Sequence, residues 1–154
     1  MLDIYEELEK PSRKIACIEG DFELCARTVS AKLFKQTRIW NFRSGLTVAE
    51  FFDDFVFWIS DGIQDKPETL PMPEKVRNAE LHLKWSYSPS LIVLQGFEAL
   101  QYGDGNDYGL IKDEFFRDWI RFFASGDHKH FCVVSGDYPV LDLIDFTTVS
   151  YFKK

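Results

Sequence analysis

"LHLKWSYSPSLIVLQ" (81–95) is the stretch on which the fold turns. Its first half alternates Leu81, Leu83, Trp85 and Tyr87 with His82, Lys84 and Ser86. A period of two is the mark of a strand with one buried face. Ser88-Pro89-Ser90 carries turn chemistry, and the apolar run 91–94 follows it. Together these features predict a hairpin in which 90–100 pairs antiparallel with 81–87. The second segment has a helical alternative, and Gly96 weakens both readings.

Upstream, "GLTVAEFFDDFVFWISDG" (45–62) reads as a helix. Thr47 and Glu50 form a capping box, in which each side chain satisfies a backbone amide the helix leaves free. Val48, Phe51, Phe52, Phe55, Val56, Trp58 and Ile59 fall three and four apart, on one broad stripe. Gly62 suits the left-handed residue that ends a helix. Farther upstream, 2–10 is a helix candidate ended by Pro11, and 14–19 a short strand. Residues 22–42 read as helix to about 36 and extended beyond. The three prolines of 64–73 make a loop, and 73–80 a short helix opened by Pro73.

Downstream, "YGLIKDEFFRDWIRFFASG" (108–126) predicts a second amphipathic helix, capped by Asn106 or Asp107. In 128–152, "HFCVVS" and "TTVSYF" read as strands around a turn at Gly136-Asp137-Tyr138-Pro139. The fold expected is α+β: a largely antiparallel sheet with two or more amphipathic helices packed on one face. All of residues 1–154 are expected to form a single globular domain.

Composition agrees with a self-sufficient core. Hydrophobic residues make up 45% of the chain and aromatics 16%, with fifteen Phe and four Trp. That excludes a disordered tail. The longest apolar runs fall far short of a membrane-spanning helix, and "MLDIYEELEK" (1–10) does not resemble a secretory leader. Cys17, Cys25 and Cys132 are too few for a disulfide framework, so a cytoplasmic protein is expected. The first fifty residues hold as many acids as bases, so the whole net charge of −7 falls on 51–154. Such a field repels phosphate backbones and attracts basic proteins.

Reaction motifs are scarce. "DGNDYG" (104–109) imitates the start of an EF-hand loop, with Asp104, Asn106 and Gly109 at positions 1, 3 and 6. The decisive twelfth position is Phe115 instead of a bidentate Glu, so calcium is not expected. His128 and His130 form an H-x-H pair near Asp127 and Cys132, but no complete ligand set accompanies them. No nucleophile elbow, P-loop or dinucleotide fingerprint occurs. Acidic pairs such as Asp53 with Asp54 are too common in an acidic chain to single out a catalyst. Between Glu23 and Glu50 the only charges are Arg27, Lys32, Lys35, Arg38 and Arg43, interleaved with Phe34, Trp40 and Phe42. The net acidity favours pairing of this stretch with carboxylates over nucleic-acid binding.

The expectation is therefore a binding protein and not an enzyme, with no cofactor, no metal, no direct nucleic-acid contact and no membrane segment. The general type is the bacterial immunity protein or antitoxin, whose carboxylates stand in for substrate phosphates on a cognate basic toxin. The surface expected to meet that partner comprises Asp61, Asp65, Tyr102, Asp104, Asp107, Tyr108, Asp137, Tyr138 and Asp142: acids near loops, with tyrosines beside them as anchors. The alternative is a small-molecule-binding or enzymatic domain with an aromatic-lined pocket and His82 or an Asp as its polar group.

Overall fold

The computed structural model describes residues 12–20, 34–62 and 70–153. The expected helix at 2–10, residues 22–33 of the helix expected to run to about 36, most of the 64–73 loop, Cys25 and Asp65 lie outside these residues; residues 34–36 are described and are not helical. Five strands are described: β1 (Ile15–Glu19), β2 (Gln36–Asn41), β3 (Ser90–Gln95), β4 (Phe131–Gly136) and β5 (Val149–Lys153). They form one sheet in the order β2-β3-β4-β1-β5, and every pairing is parallel. Three α-helices are described: α1 (Val48–Ile59), α2 (Met72–Trp85) and α3 (Glu114–Ser125).

This overturns the antiparallel α+β expectation; the architecture is α/β. The error began in 81–87. Residues 81–85 of that segment end α2, which starts with Pro71 and Pro73 in place and buries Val76, Ala79 and Leu83; Ser86 and Tyr87 lie beyond the helix. Those positions have helical spacing, and the alternation of Leu81, Trp85 and Tyr87 does not describe burial. Trp85 is 60% exposed and Tyr87 87%. Ser88-Pro89 therefore joins a helix to a strand and makes no hairpin.

The strands themselves explain why they are parallel. The side chains of 15–18, 90–94 and 131–136 are all buried, without alternation. Strands covered on both faces read as continuous apolar runs, the habit of parallel sheets. One face carries Ile15, Cys17, Ile92, Leu94, Cys132 and Val134 and packs against the three helices. The opposite face, with Ala16, Ile18, Leu91, Val93 and Val133, is buried too.

The helix 45–62 forms as expected. Thr47 Oγ1 accepts from the Glu50 N–H, and Glu50 accepts from the Thr47 N–H. Thr47→Ala should cost about 1 kcal/mol of stability, readable as a lower urea midpoint with an unchanged slope. Helix α3 begins later than expected. Its cap is Asp113, which accepts from the Phe115 and Phe116 amides, and neither Asn106 nor Asp107 serves. Charged contacts lock α1 to its neighbours. Lys75 of α2, 5% exposed, reaches Asp53 at 2.5 Å, and Trp40 Nε1 of β2 donates to Asp54 at 2.9 Å. No helix among the described residues is long and apolar enough to cross a membrane.

Candidate functional site

Parallel strands all end on the same side, so the loops leaving them converge. From β1 the next described strand is β2, past β4 and β3 at one edge; from β4 the chain passes β1 to β5 at the other. Strands β1 and β4 are neighbours, so the chain leaves them toward opposite edges and a crevice opens beyond their carboxyl ends. Glu19 and Gly136, the last residues of the two strands, sit side by side there.

The crevice has a volume of about 280 Å³. Its floor is apolar: Cys17, Phe97, Val134 and Val140 line it, each at most 4% exposed. Its mouth is formed by Glu19, Tyr138, Leu141, Ile144 and Tyr151. The Tyr151 hydroxyl donates to the Val140 carbonyl at 3.1 Å. Burial, and then the nearby Cys17, Asp145 and Asp142, push its ionisation up, so it stays a neutral donor. Cys17 and Cys132 are free, and burial raises both thiols, which argues against either as a nucleophile.

Two loops build the rim, and they are clasped together. Tyr102, Asp104, Asp107 and Tyr108 lie between β3 and α3; Asp137, Tyr138 and Asp142 lie between β4 and β5. The Gln101 side-chain amide donates to the carbonyls of Gly109 and Pro139, both at 2.8 Å. Asp142 Oδ2 accepts from the Ile111 N–H at 2.7 Å, and the Tyr108 and Tyr138 rings stand 5.2 Å apart. Gly109, at φ +85°, has no room for a side chain: a Cβ would lie 2.9 Å from the Pro139 oxygen. Seven of the nine residues expected to meet a partner thus share one end of the sheet.

Asp61 does not join them. It follows α1 in a left-handed conformation (φ 55°) at the opposite end, beside a hollow lined by Gln36, His82, Trp85 and Tyr87. Asp65 lies outside the described residues.

Sequence reasoning missed Glu98 and named Arg43 only within a stretch expected to pair with carboxylates; together the two brace the rim from below. Arg43 grips both Glu98 oxygens, at 2.8 and 2.7 Å, and Glu98 accepts from the Asp137 N–H at 3.1 Å. Burial pushes the Glu98 carboxyl up, but the Arg43 and Asp137 hydrogen bonds outweigh it and hold it below the usual range. Arg43 also lies 3.5 Å from Asp137. Arg38 likewise pairs with Asp54 at 2.6 Å, so both described arginines of the basic stretch meet carboxylates. Glu19 and Ile144 were missed as well. No sequence pattern marks them, because their place depends on strand direction.

The histidine pair is structural in geometry. His128 Nδ1 accepts from the His130 N–H at 3.0 Å and Nε2 meets the Phe123 carbonyl at 2.9 Å. His130 Nδ1 accepts from the Ser90 N–H at 3.1 Å and Nε2 meets the Leu83 carbonyl at 3.0 Å. All four ring nitrogens are engaged with backbone, so a metal would have to break these bonds first. Among the described residues, no three His, Cys, Asp or Glu side chains are grouped to hold a metal ion. Comparison with known family models and with curated proteins gave no match.

Proposed function

We propose that the chain is a stoichiometric protein-binding inhibitor of the immunity-protein or antitoxin type, acting in the cytoplasm on a basic, nucleic-acid-degrading toxin. The observation that supports this best is the makeup of the rim. Glu19, Asp104, Asp107 and Asp142 have no ion pair among the described residues, so their charge is available to an outside cation. Tyr102, Tyr108, Leu141, Ile144 and Tyr151 are exposed at the same end. Large amphipathic side chains beside unpaired charge are the composition of a binding surface: rings and aliphatics supply area, acids supply steering and register. A catalytic reading has less support, because among the described residues no nucleophile–base pair converges at the crevice.

The test is affinity capture with wild-type protein and with the double variant Asp104→Asn/Asp107→Asn. A basic protein should be retained at about 0.05 M salt and released at about 0.5 M. The double variant should bind about tenfold more weakly, mainly through slower association. Coproduction with the captured protein should also suppress its toxicity. Recovery of no basic partner, or binding indifferent to the two acids, defeats the proposal.

A further inference from the structure

We propose that the crevice beyond β1 and β4 receives one aromatic side chain of the partner, presented between lysine or arginine residues. This rests on the inhibitor reading above and specifies how the rim is engaged. Size is the first argument. At about 280 Å³ the crevice stands at the lower edge of the roughly 300–1,000 Å³ typical of pockets for whole organic ligands, and a single side chain fits it.

Chemistry separates floor from mouth. The floor, built by Cys17, Phe97, Val134 and Val140, has no charged group and would strip water from anything inserted. A cation there would lose its hydration without a counter-ion, so the inserted group is apolar. The rings of Phe97, Tyr138, Tyr151 and Phe152 favour a ring among them, edge against face.

The charge around the mouth then sets the neighbours. Glu19 lies on the lip without an ion pair among the described residues. Asp142 stands nearby, its Oδ2 on the Ile111 N–H and without an ion pair among the described residues, whereas Asp145 is already paired with Arg121 at 3.1 Å. A ring flanked by cations therefore satisfies floor and lip together, and a ring flanked by acids is repelled. Ile144, 70% exposed, and Leu141 form the apolar collar that would exclude water once the ring is seated.

The experiment is a titration of ¹⁵N-labelled full-length protein with four probes: acetyl-Lys-Trp-Lys-amide, acetyl-Glu-Trp-Glu-amide, acetyl-Lys-Ala-Lys-amide and indole. Amide shifts are followed at Gly136, Ile144 and Tyr151. The Lys-Trp-Lys probe should give saturable shifts there, with a dissociation constant on the order of 1 mM. The Glu-Trp-Glu probe and indole should bind at least about tenfold more weakly, and Lys-Ala-Lys should leave these amides unmoved. Ile144→Arg changes an exposed position and should fold normally while losing the Lys-Trp-Lys shifts. Equal binding of indole or of the acidic probe overturns the inference, as does the absence of shifts with every probe. If the basic probes move only the amides of Asp104 and Asp107, the crevice assignment fails while the acidic-partner reading survives.

Discussion

Trp119→Ala is expected to remove about 3–5 kcal/mol, much of the stability of an ordinary domain. Trp119 is fully buried on α3 and stands at the centre of the aromatic core. Its ring lies 5.4 Å from Phe51, 5.9 Å from Phe52 and 5.2 Å from Phe55, all of α1. It also meets Phe116 and Phe123 of its own helix, each at 5.8 Å. Truncation would forfeit these edge-to-face contacts and leave a large void, because rings held by one another cannot collapse into the space. One detail sharpens the test. The Trp119 Nε1–H is buried and meets no acceptor among the described residues. Trp119→Phe deletes that unsatisfied donor along with part of the ring, so the two effects oppose each other and the cost should be only about 1 kcal/mol. Urea denaturation of both variants decides the matter. Equal, small losses would mean that the helices α1 and α3 are held by something other than this ring cluster.

That cluster was legible in the sequence, and the sheet was not. The stripe in 45–62 has a capping box at one end and a glycine at the other, so local chemistry and periodicity agree. In 81–95 they conflict. Leu81, Leu83, Trp85 and Tyr87 alternate by chance, while the burial that matters runs through Val76, Ala79 and Leu83 at helical spacing. One misread segment then produced a false hairpin, and the hairpin imposed antiparallel pairing on everything after it. The correct sign was present in "IACI", "SLIVL" and "FCVVSG", apolar runs too continuous for a sheet wetted on one side.

The site divides along the same line. Acids and tyrosines at 102–108 and 137–142 stand out in the sequence as exposed loop chemistry. Their convergence depends on β3 and β4 ending on the same side, which an antiparallel hairpin would forbid. Glu19, Glu98 and Ile144 carry no local signature and become meaningful only as neighbours across parallel strands. Asp61 shows the opposite failure: it has the right composition and the wrong end of the sheet.

Mild acid should destabilise the fold through His128 and His130. Burial holds His128 at about 3 and His130 at about 4, although their contacts with the Phe123 and Leu83 carbonyls pull the other way. The Lys14 ammonium, which donates to the His128 carbonyl oxygen, opposes protonation of both rings. Burial lowers the Lys14 ammonium itself, and Asp127 only partly offsets that. Well above pH 6.5 the two histidines are neutral in folded and unfolded chains alike, so stability is flat with respect to them. Below that value the unfolded chain takes up protons that the folded chain refuses, and stability falls as pH falls. The loss continues until the folded pKa values of about 4 and about 3 are reached. With two groups the slope approaches about 2.7 kcal/mol per pH unit, and from pH 7 to pH 5 the loss is about 3–4 kcal/mol. His82, whose pKa is lowered by burial, contributes in the same direction. Glu80, raised by burial and by Asp118, opposes it as it protonates in the folded chain. Urea midpoints at pH 7, 6 and 5 measure the effect, and imidazole proton resonances followed by NMR assign it. His128 and His130 resonances that titrate near 6.5 in the folded protein, or a stability flat to pH 5, would mean that these rings are not the neutral, backbone-bound pair joining α3 to β4.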